Sequence, residues 1–203
     1  MTVVSERIHV KQLGTLDYRT ALMEMKNFNS SRTEKTEDEI WLLEHPPVYT
    51  LGQGADEVAV NNGVPVVRSD RGGDITYHGP GQVVLYALID LARRGIKVKR
   101  FVWLLEQSVI DLLGGRGERR QGAPGVYVDG AKVAALGIRI SRGRSYHGLA
   151  LNVDMDLSPF SAIDPCGYPG LQVTQMKDLG FSLSKDVLAL QLKDRLVRNI
   201  ENA

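Results

Sequence analysis

One stretch limits what this chain can fold into more than any other: Arg71-Gly72-Gly73-Asp74-Ile75-Thr76-Tyr77-His78-Gly79-Pro80-Gly81-Gln82. It places four glycines and a proline among twelve residues, so the backbone there turns tightly or lets another group approach closely. An apolar run follows at once, Val83-Val84-Leu85-Tyr86-Ala87-Leu88-Ile89, and reads as a buried strand. A rigid strand therefore holds a glycine-rich loop, with Gly73 and Gly79 as points of close approach and Arg71, Tyr77 and His78 beside them. A structural hairpin is the plainer reading of the same residues; loops on rigid scaffolds often carry sites. The stretch is not a P-loop, because no Lys-Ser/Thr follows the glycines, and not a dinucleotide fingerprint, because no helix opens after them.

The rest of the chain reads as a single α/β domain over residues 1–203, a length that buries a sizeable core. Ile8 to Leu13 reads as a strand, and Asp17 caps a helix running to about Phe28. Residues 29–38 read as a loop. Ile40 to Leu43 and Val48 to Leu51 are strands separated by Pro46-Pro47. Val64 to Arg68 leads into the glycine stretch. A helix from about Phe101 to Leu113 ends at Gly114-Gly115. Gly125 to Val128, Asp129-Gly130 and Ala131 to Ile140 form a hairpin, since Asp-Gly between alternating runs is a strong turn signal. Tyr146 to Val153 is a further strand, residues 154–182 are mostly irregular, and Ser184 caps a last helix with Leu188, Leu192, Leu196 and Ile200 on one stripe.

Composition excludes several classes. A formal net charge of +1 makes no case for nucleic acid or an anionic membrane. No apolar run approaches the roughly 20 residues of a membrane span, and residues 1–30 show no signal-peptide core, so a cytoplasmic protein is expected. Cys166 is the only cysteine, which rules out an internal disulfide or a thiolate metal cluster.

Cys166 lies in Asp164-Pro165-Cys166-Gly167-Tyr168-Pro169, an irregular setting unlike that of a core cysteine. A nucleophile and a structural thiol are both open readings. Strand alternation puts Lys132 on the face of Ala134, Leu136, Ile138 and Ile140, opposite Val133, Ala135, Gly137 and Arg139. A lysine on that more apolar face is suited to act as a base, and one that snorkels at a strand end is the plainer alternative. Thr76-Tyr77-His78-Gly79 recurs as Ser145-Tyr146-His147-Gly148, both expected at strand ends, where His78 and His147 could face one cavity as bases or hydrogen-bond donors. His9 and His45 read as structural. Without a third ligand at metal spacing, no metal site is expected.

Taken together, four stretches resemble the lipoyl(octanoyl) transferases: residues 71–82; Gly130-Ala131-Lys132-Val133-Ala134-Ala135-Leu136-Gly137; Tyr146-His147-Gly148-Leu149-Ala150-Leu151-Asn152; and Asp156-Leu157-Ser158-Pro159-Phe160 leading into Pro165-Cys166-Gly167. The resemblance implies a mixed β-sheet sandwich with flanking helices, shared with biotin and lipoate protein ligases. It implies Cys166 as the acyl-thioester nucleophile and Lys132 as its partner, with no cofactor. It implies an acyl pocket lined by Arg71, Gly72, Gly73, Asp74, Ile75, Thr76, Tyr77 and His78, with Ala135-Leu136-Gly137 and His147-Gly148-Leu149-Ala150. Octanoyl-acyl carrier protein would be the donor; lipoyl domains of 2-oxoacid dehydrogenases and the glycine cleavage H protein would be acceptors. Asp164 departs from the family, many of whose members carry Asn there; an added carboxylate raises a nearby thiol's pKa. An ATP-dependent ligase of the same fold and a non-catalytic acyl- or lipoyl-domain-binding module are the rival readings.

Overall fold

A computed structural model describes residues 7–57, 60, 62–163 and 170–203. Cys166 and its neighbours 164, 165 and 167–169 lie outside the described residues. The elements run β1 (Ile8–Thr15), α1 (Tyr18–Ser31), β2 (Asp38–Glu44), β3 (Val48–Leu51), β4 (Val66–Arg68), β5 (Ile75–His78), β6 (Gln82–Leu88), α2 (Val98–Leu112), β7 (Gly125–Val128), β8 (Ala131–Ser141), β9 (Arg144–Asn152), a 3₁₀ turn (Ser158–Ala162) and α3 (Lys185–Glu201). Among the described residues, nine strands form a six-stranded sheet ordered β1-β2-β6-β9-β8-β7 and a three-stranded sheet ordered β4-β3-β5. The α/β class and the mixed sheets match the expectation.

Local chemistry accounts for the connections. Both two-residue turns in the β7-β8-β9 meander have positive φ at each position, 49° and 85° at Asp129-Gly130, 53° and 75° at Arg142-Gly143. That is the turn whose twist matches paired strands. Pro46-Pro47 cannot donate to a ladder, and there the chain leaves the large sheet for the small one.

Alternation sorts the large sheet into two faces. Ile40, Leu42, Val83, Leu85, Leu149 and Leu151 join the main core with Leu104, Leu105 and Val109 of α2 and the Leu188, Leu192, Leu196, Ile200 stripe of α3. Trp41, Leu43, Val84, Tyr86 and Ala150 face the other way, against Ala21 and Met25 of α1. A buried ion cluster pins one end: Asp38, fully buried, accepts from Arg93 at 2.7 Å, from Arg94 at 2.6 Å and from Arg32.

Several boundaries differ from expectation. The glycine stretch is not all loop: Ile75–His78 is a fully buried strand pairing with β3. α2 begins at Val98, ahead of the expected start near Phe101; Lys97 at its N-cap offers no capping side chain to mark the start. Residues 29–31 extend α1, and Asp38 and Glu39 belong to β2. The Ser145-Tyr146-His147-Gly148 copy lies inside β9 rather than at its end.

Candidate active site

Two rungs across the large sheet build the floor of a pocket. Gly125, Ala135, Ala150, Val84 and Leu43 are paired in register across β7, β8, β9, β6 and β2. Gly137, Gly148, Tyr86 and Trp41 form the adjacent rung. Paired residues share a face, so the floor is nearly bare over β7, β8 and β9 and carries large side chains from β6 onward. The roof is the polar face of the small sheet, where Thr76 and His78 point at the floor, together with the 71–74 loop. The pocket between them is lined by Arg71, Gly73, Asp74, Ile75, Thr76, His78, Ala135, Leu136, Gly137, His147, Gly148, Leu149 and Ala150, all expected from the sequence. Tyr18, Val84 and Tyr86 line it too and were not expected.

Three expectations place differently. Gly72 lines an adjoining cavity that continues over Gly54, Pro124 and Val102. Tyr77 points to the opposite side of β5, its ring edge-on to Phe160 at 5.5 Å. Gly79 packs on the Tyr77 ring, where a Cβ would sit 2.4 Å from the hydroxyl, so it serves that contact and does not line the pocket.

The roof loop is fixed by backbone bonds. Gly72 N donates to Ile138 O at 2.9 Å, Gly54 N to Gly73 O at 3.0 Å and Gln53 N to Arg71 O at 2.9 Å. The approach of loop to sheet requires glycine at 137, where a Cβ would stand 2.8 Å from Gly72 O. The Arg71 guanidinium is buried and donates to the Thr50 carbonyl at 2.6 Å and hydroxyl at 2.9 Å.

Buried aromatic and imidazole groups close the β6 end. His45 Nε2 lies 2.7 Å from the Tyr86 hydroxyl and His45 Nδ1 lies 2.6 Å from Leu16 O. Tyr18 donates to Ser69 at 2.7 Å and stacks on His78 at 5.9 Å. His78 Nδ1 meets Gln82 at 2.8 Å, and Gln82 donates onward to Asn152. Burial lowers the His45 pKa to about 4, and burial with the neighbouring His45 lowers His78 to about 3. Both rings are neutral at physiological pH. Burial also pushes the Tyr86 phenol well above its usual value.

His147 reaches the pocket by breaking strand alternation. Its φ of 60° is left-handed, uncommon outside glycine. Tyr146 and His147, successive residues of a strand, consequently both bind Asp70, at 2.6 Å through the phenol and 2.9 Å through Nε2. Burial alone would raise the Asp70 carboxyl, but the bonds from His147 and Tyr146 outweigh it and hold it below the usual carboxylate range. Burial lowers the His147 pKa in spite of Asp70. Asp70 was not among the expected residues, and His45, expected to be structural, is buried behind the pocket and holds Tyr86.

Lys132 is where the alternation argument fails. Tyr127 pairs with Lys132 and Val126 with Ala134, so Val133 is an extra residue, a β-bulge. The bulge turns Lys132 away from the face of Ala134, Leu136 and Ile138 and onto the face of Tyr127, Gly125 and Ala135. Its ammonium lies 5.2 Å from the Tyr127 ring centre and 3.5 Å from Pro124 O. The aliphatic end of the side chain lies over Gly125, where a Cβ would stand 3.1 Å from Lys132 Cε. Lys132 is 3% exposed, at the β7 end of the first rung, and is not snorkelled to solvent. Glu106 stands nearby; burial raises its pKa, and it accepts from Gly125 N at 3.0 Å. The Lys132 backbone bonds Gln172 O at 2.8 Å and Thr174 N at 2.9 Å, so the chain returns beside Lys132 six residues after position 166.

Among the described residues no group of His, Cys, Asp or Glu is arranged to hold a metal ion, and no helix is long and apolar enough to cross a membrane.

The lipoyl protein ligase A/B catalytic domain model matches residues 17–201. A protein of Dechloromonas aromatica named octanoyltransferase is 55% identical over 197 residues, covering 95% of this chain and 96% of that one. The octanoyltransferase of Azoarcus sp. is 57% identical over 203 residues, covering 97% and 88%. Among solved structures, lipoate-protein ligase A bound with ATP superposes with a TM-score of 0.74 at 16% identity, covering 96% of this chain and 84% of that one. The Aquifex aeolicus biotin protein ligase in complex with biotin and ATP gives 0.60 at 12% identity, covering 96% and 71%. Those two likenesses establish the fold expected from the sequence. With a family model over most of its length and relatives above half identity along nearly all of it, this chain belongs to the lipoyl protein ligase A/B catalytic domain family and, within it, to the octanoyltransferases, which are acyltransferases.

Proposed function

We propose that residues 1–203 act as one catalytic unit that moves octanoyl from octanoyl-acyl carrier protein to the target lysine of lipoyl domains through a thioester on Cys166, with Lys132 as the proton carrier. The observation that carries this reading is the placement of Lys132: buried, packed over Gly125 at the β7 end of a nearly bare rung, and bonded through its backbone to the segment that follows Cys166 in sequence. Six residues separate Cys166 from Gln172 in the sequence and span at most about 20 Å, so the reading asks for no more chain than lies between the thiol and the Lys132 backbone. Support for the acceptor comes from an archaeal bipartite lipoate protein ligase, described with its E2 lipoyl domain, whose fold this chain shares at a TM-score of 0.72.

In the first half-reaction Cys166 Sγ attacks the donor thioester carbonyl, a new C–S bond forms and the donor C–S bond breaks. Lys132 takes the thiol proton and returns it to the departing donor thiolate. In the second, the acceptor amine attacks the acyl-enzyme, the amide C–N bond forms and the Cys166 C–S bond breaks. Lys132 takes the amine proton and passes it to the Cys166 thiolate. Thioester exchange is nearly isoenergetic, so no ATP is consumed, which separates this reading from an adenylating ligase. The octanoyl chain lies in the pocket between the sheets, where each buried CH₂ contributes about 0.8 kcal/mol.

Intact mass after incubation with octanoyl-acyl carrier protein tests it. One octanoyl group should appear on the wild type, be removed by hydroxylamine and be absent from Cys166→Ala. An adduct of equal yield on Cys166→Ala would overturn the assignment.

A further inference from the structure

We infer that Val84 and Tyr86 of β6 form the stop that sets acyl-chain length, and that the sheet itself is the ruler. The inference rests on the reading of the pocket as the acyl site and of Lys132 as its reacting end.

The observation is the order of side-chain sizes along the two rungs. From the strand that carries Lys132, the first rung reads Ala135, Ala150, then Val84, and the second Gly137, Gly148, then Tyr86. The floor is bare over β8 and β9 and steps up at β6. Strands stand about 4.8 Å apart, so the bare floor from β8 to the β6 step is roughly 10 Å long. An extended eight-carbon chain, built from C–C bonds of about 1.5 Å, spans roughly 9 Å. One strand further, Gly125 of β7 lies under the Lys132 side chain.

The step does not yield. Val84 is 1% and Tyr86 4% exposed, both packed against Trp41, Ala21 and Met25 beneath α1. Tyr86 is tied through His45 to Leu16 O. Above it, Tyr18 and His78 are held by Ser69 and Gln82. A ninth carbon would have to displace side chains that are hydrogen-bonded and close-packed, and interiors resist displacement of even one methylene.

The test measures the rate of acyl-enzyme formation with hexanoyl, octanoyl, decanoyl and dodecanoyl thioesters of acyl carrier protein, for wild type, Val84→Ala and Ala150→Leu. Val84→Ala lowers the step and should move the optimum from eight carbons to ten, raising the decanoyl-to-octanoyl ratio about fifteenfold, at roughly fourfold for each of the two methylenes accommodated. Ala150→Leu brings the step one strand closer, about four carbons, and should make hexanoyl the best of the four chains while decanoyl and dodecanoyl fall furthest. Thermal melts confirm that each variant is folded. If either folded variant is acylated with the wild-type order of chain lengths, the stop is not at β6 and the inference fails while the acyl-enzyme stands. If Ala150→Leu takes every chain at the wild-type rate, the acyl group does not lie on this floor, and the pocket reading fails with it.

Discussion

Lys132 is paired across the sheet with Tyr127, one position out of step with the ladder that joins Val126 to Ala134, and its ammonium rests 5.2 Å from the Tyr127 ring centre. The single extra residue, Val133, separates a lysine on the face of Ala134 from one on the face of Gly125 and Ala135, the face that floors the pocket.

That placement makes Lys132→Ala a test of proton transfer. Transfer should fall by roughly 10²–10⁴, the usual contribution of a positioned acid-base group. The deficit should shrink at high pH, where the Cys166 thiol ionises unaided and the acceptor amine is already neutral. Lys132→Arg should be as slow, because guanidinium does not surrender a proton in a protein. An Arg variant within a few-fold of wild type at neutral pH would show that charge alone suffices.

Acid sensitivity should come from His45 and His78. Both have folded-state pKa values depressed by burial, to about 4 and about 3, against about 6.5 unfolded. Below pH 6.5 the unfolded chain binds protons that the folded chain refuses. The stability is therefore complete above that pH and declines as pH falls, by about 1.4 kcal/mol per unit for each histidine. Urea midpoints at pH 7.5 and 5.5 should differ for wild type and differ less for His78→Gln. Equal midpoints at the two pH values in the wild type would refute the account.

Asp38 should be the costliest single position outside the site. It is fully buried and receives Arg32, Arg93 and Arg94 together with the Asp90 backbone N–H at 2.8 Å. Asp38→Asn leaves cations without their counter-charge and should cost about 3–5 kcal/mol. Chemical denaturation measures it; a loss below 1 kcal/mol would mean solvent reaches the cluster.

Tyr86→Phe should separate stability from specificity. The phenol's loss leaves His45 Nε2 buried without its partner, at a cost of about 1–3 kcal/mol, while ring volume at the pocket's end is kept. The melt should fall and the chain-length optimum should stay. A shifted optimum would assign the hydroxyl a direct role in reading the chain.

What the sequence made legible follows from where local rules hold. The Asp129-Gly130 hairpin, the Asp17 and Ser184 caps and the α3 stripe were readable because turn chemistry and periodicity act within a few residues. The start of α2 was not, since Lys97 gives no capping signal. The pocket histidines were legible as a repeated Tyr-His-Gly, yet both of the site's departures from alternation were invisible. The Val133 bulge and the left-handed φ of His147 are set by cross-strand register and by Asp70, which no local pattern encodes. Val84 and Tyr86 read as part of a buried strand, and only the register across β8, β9 and β6 shows that they end the floor.

The most direct test of the central claim is the fate of isolated octanoyl-enzyme. Octanoyl-Cys166 enzyme, freed of donor and mixed with a lipoyl domain in the absence of ATP, should lose its octanoyl group to the lipoyl lysine at least as fast as steady-state turnover. An acyl-enzyme that persists while the same preparation turns over fresh donor would contradict the thioester mechanism.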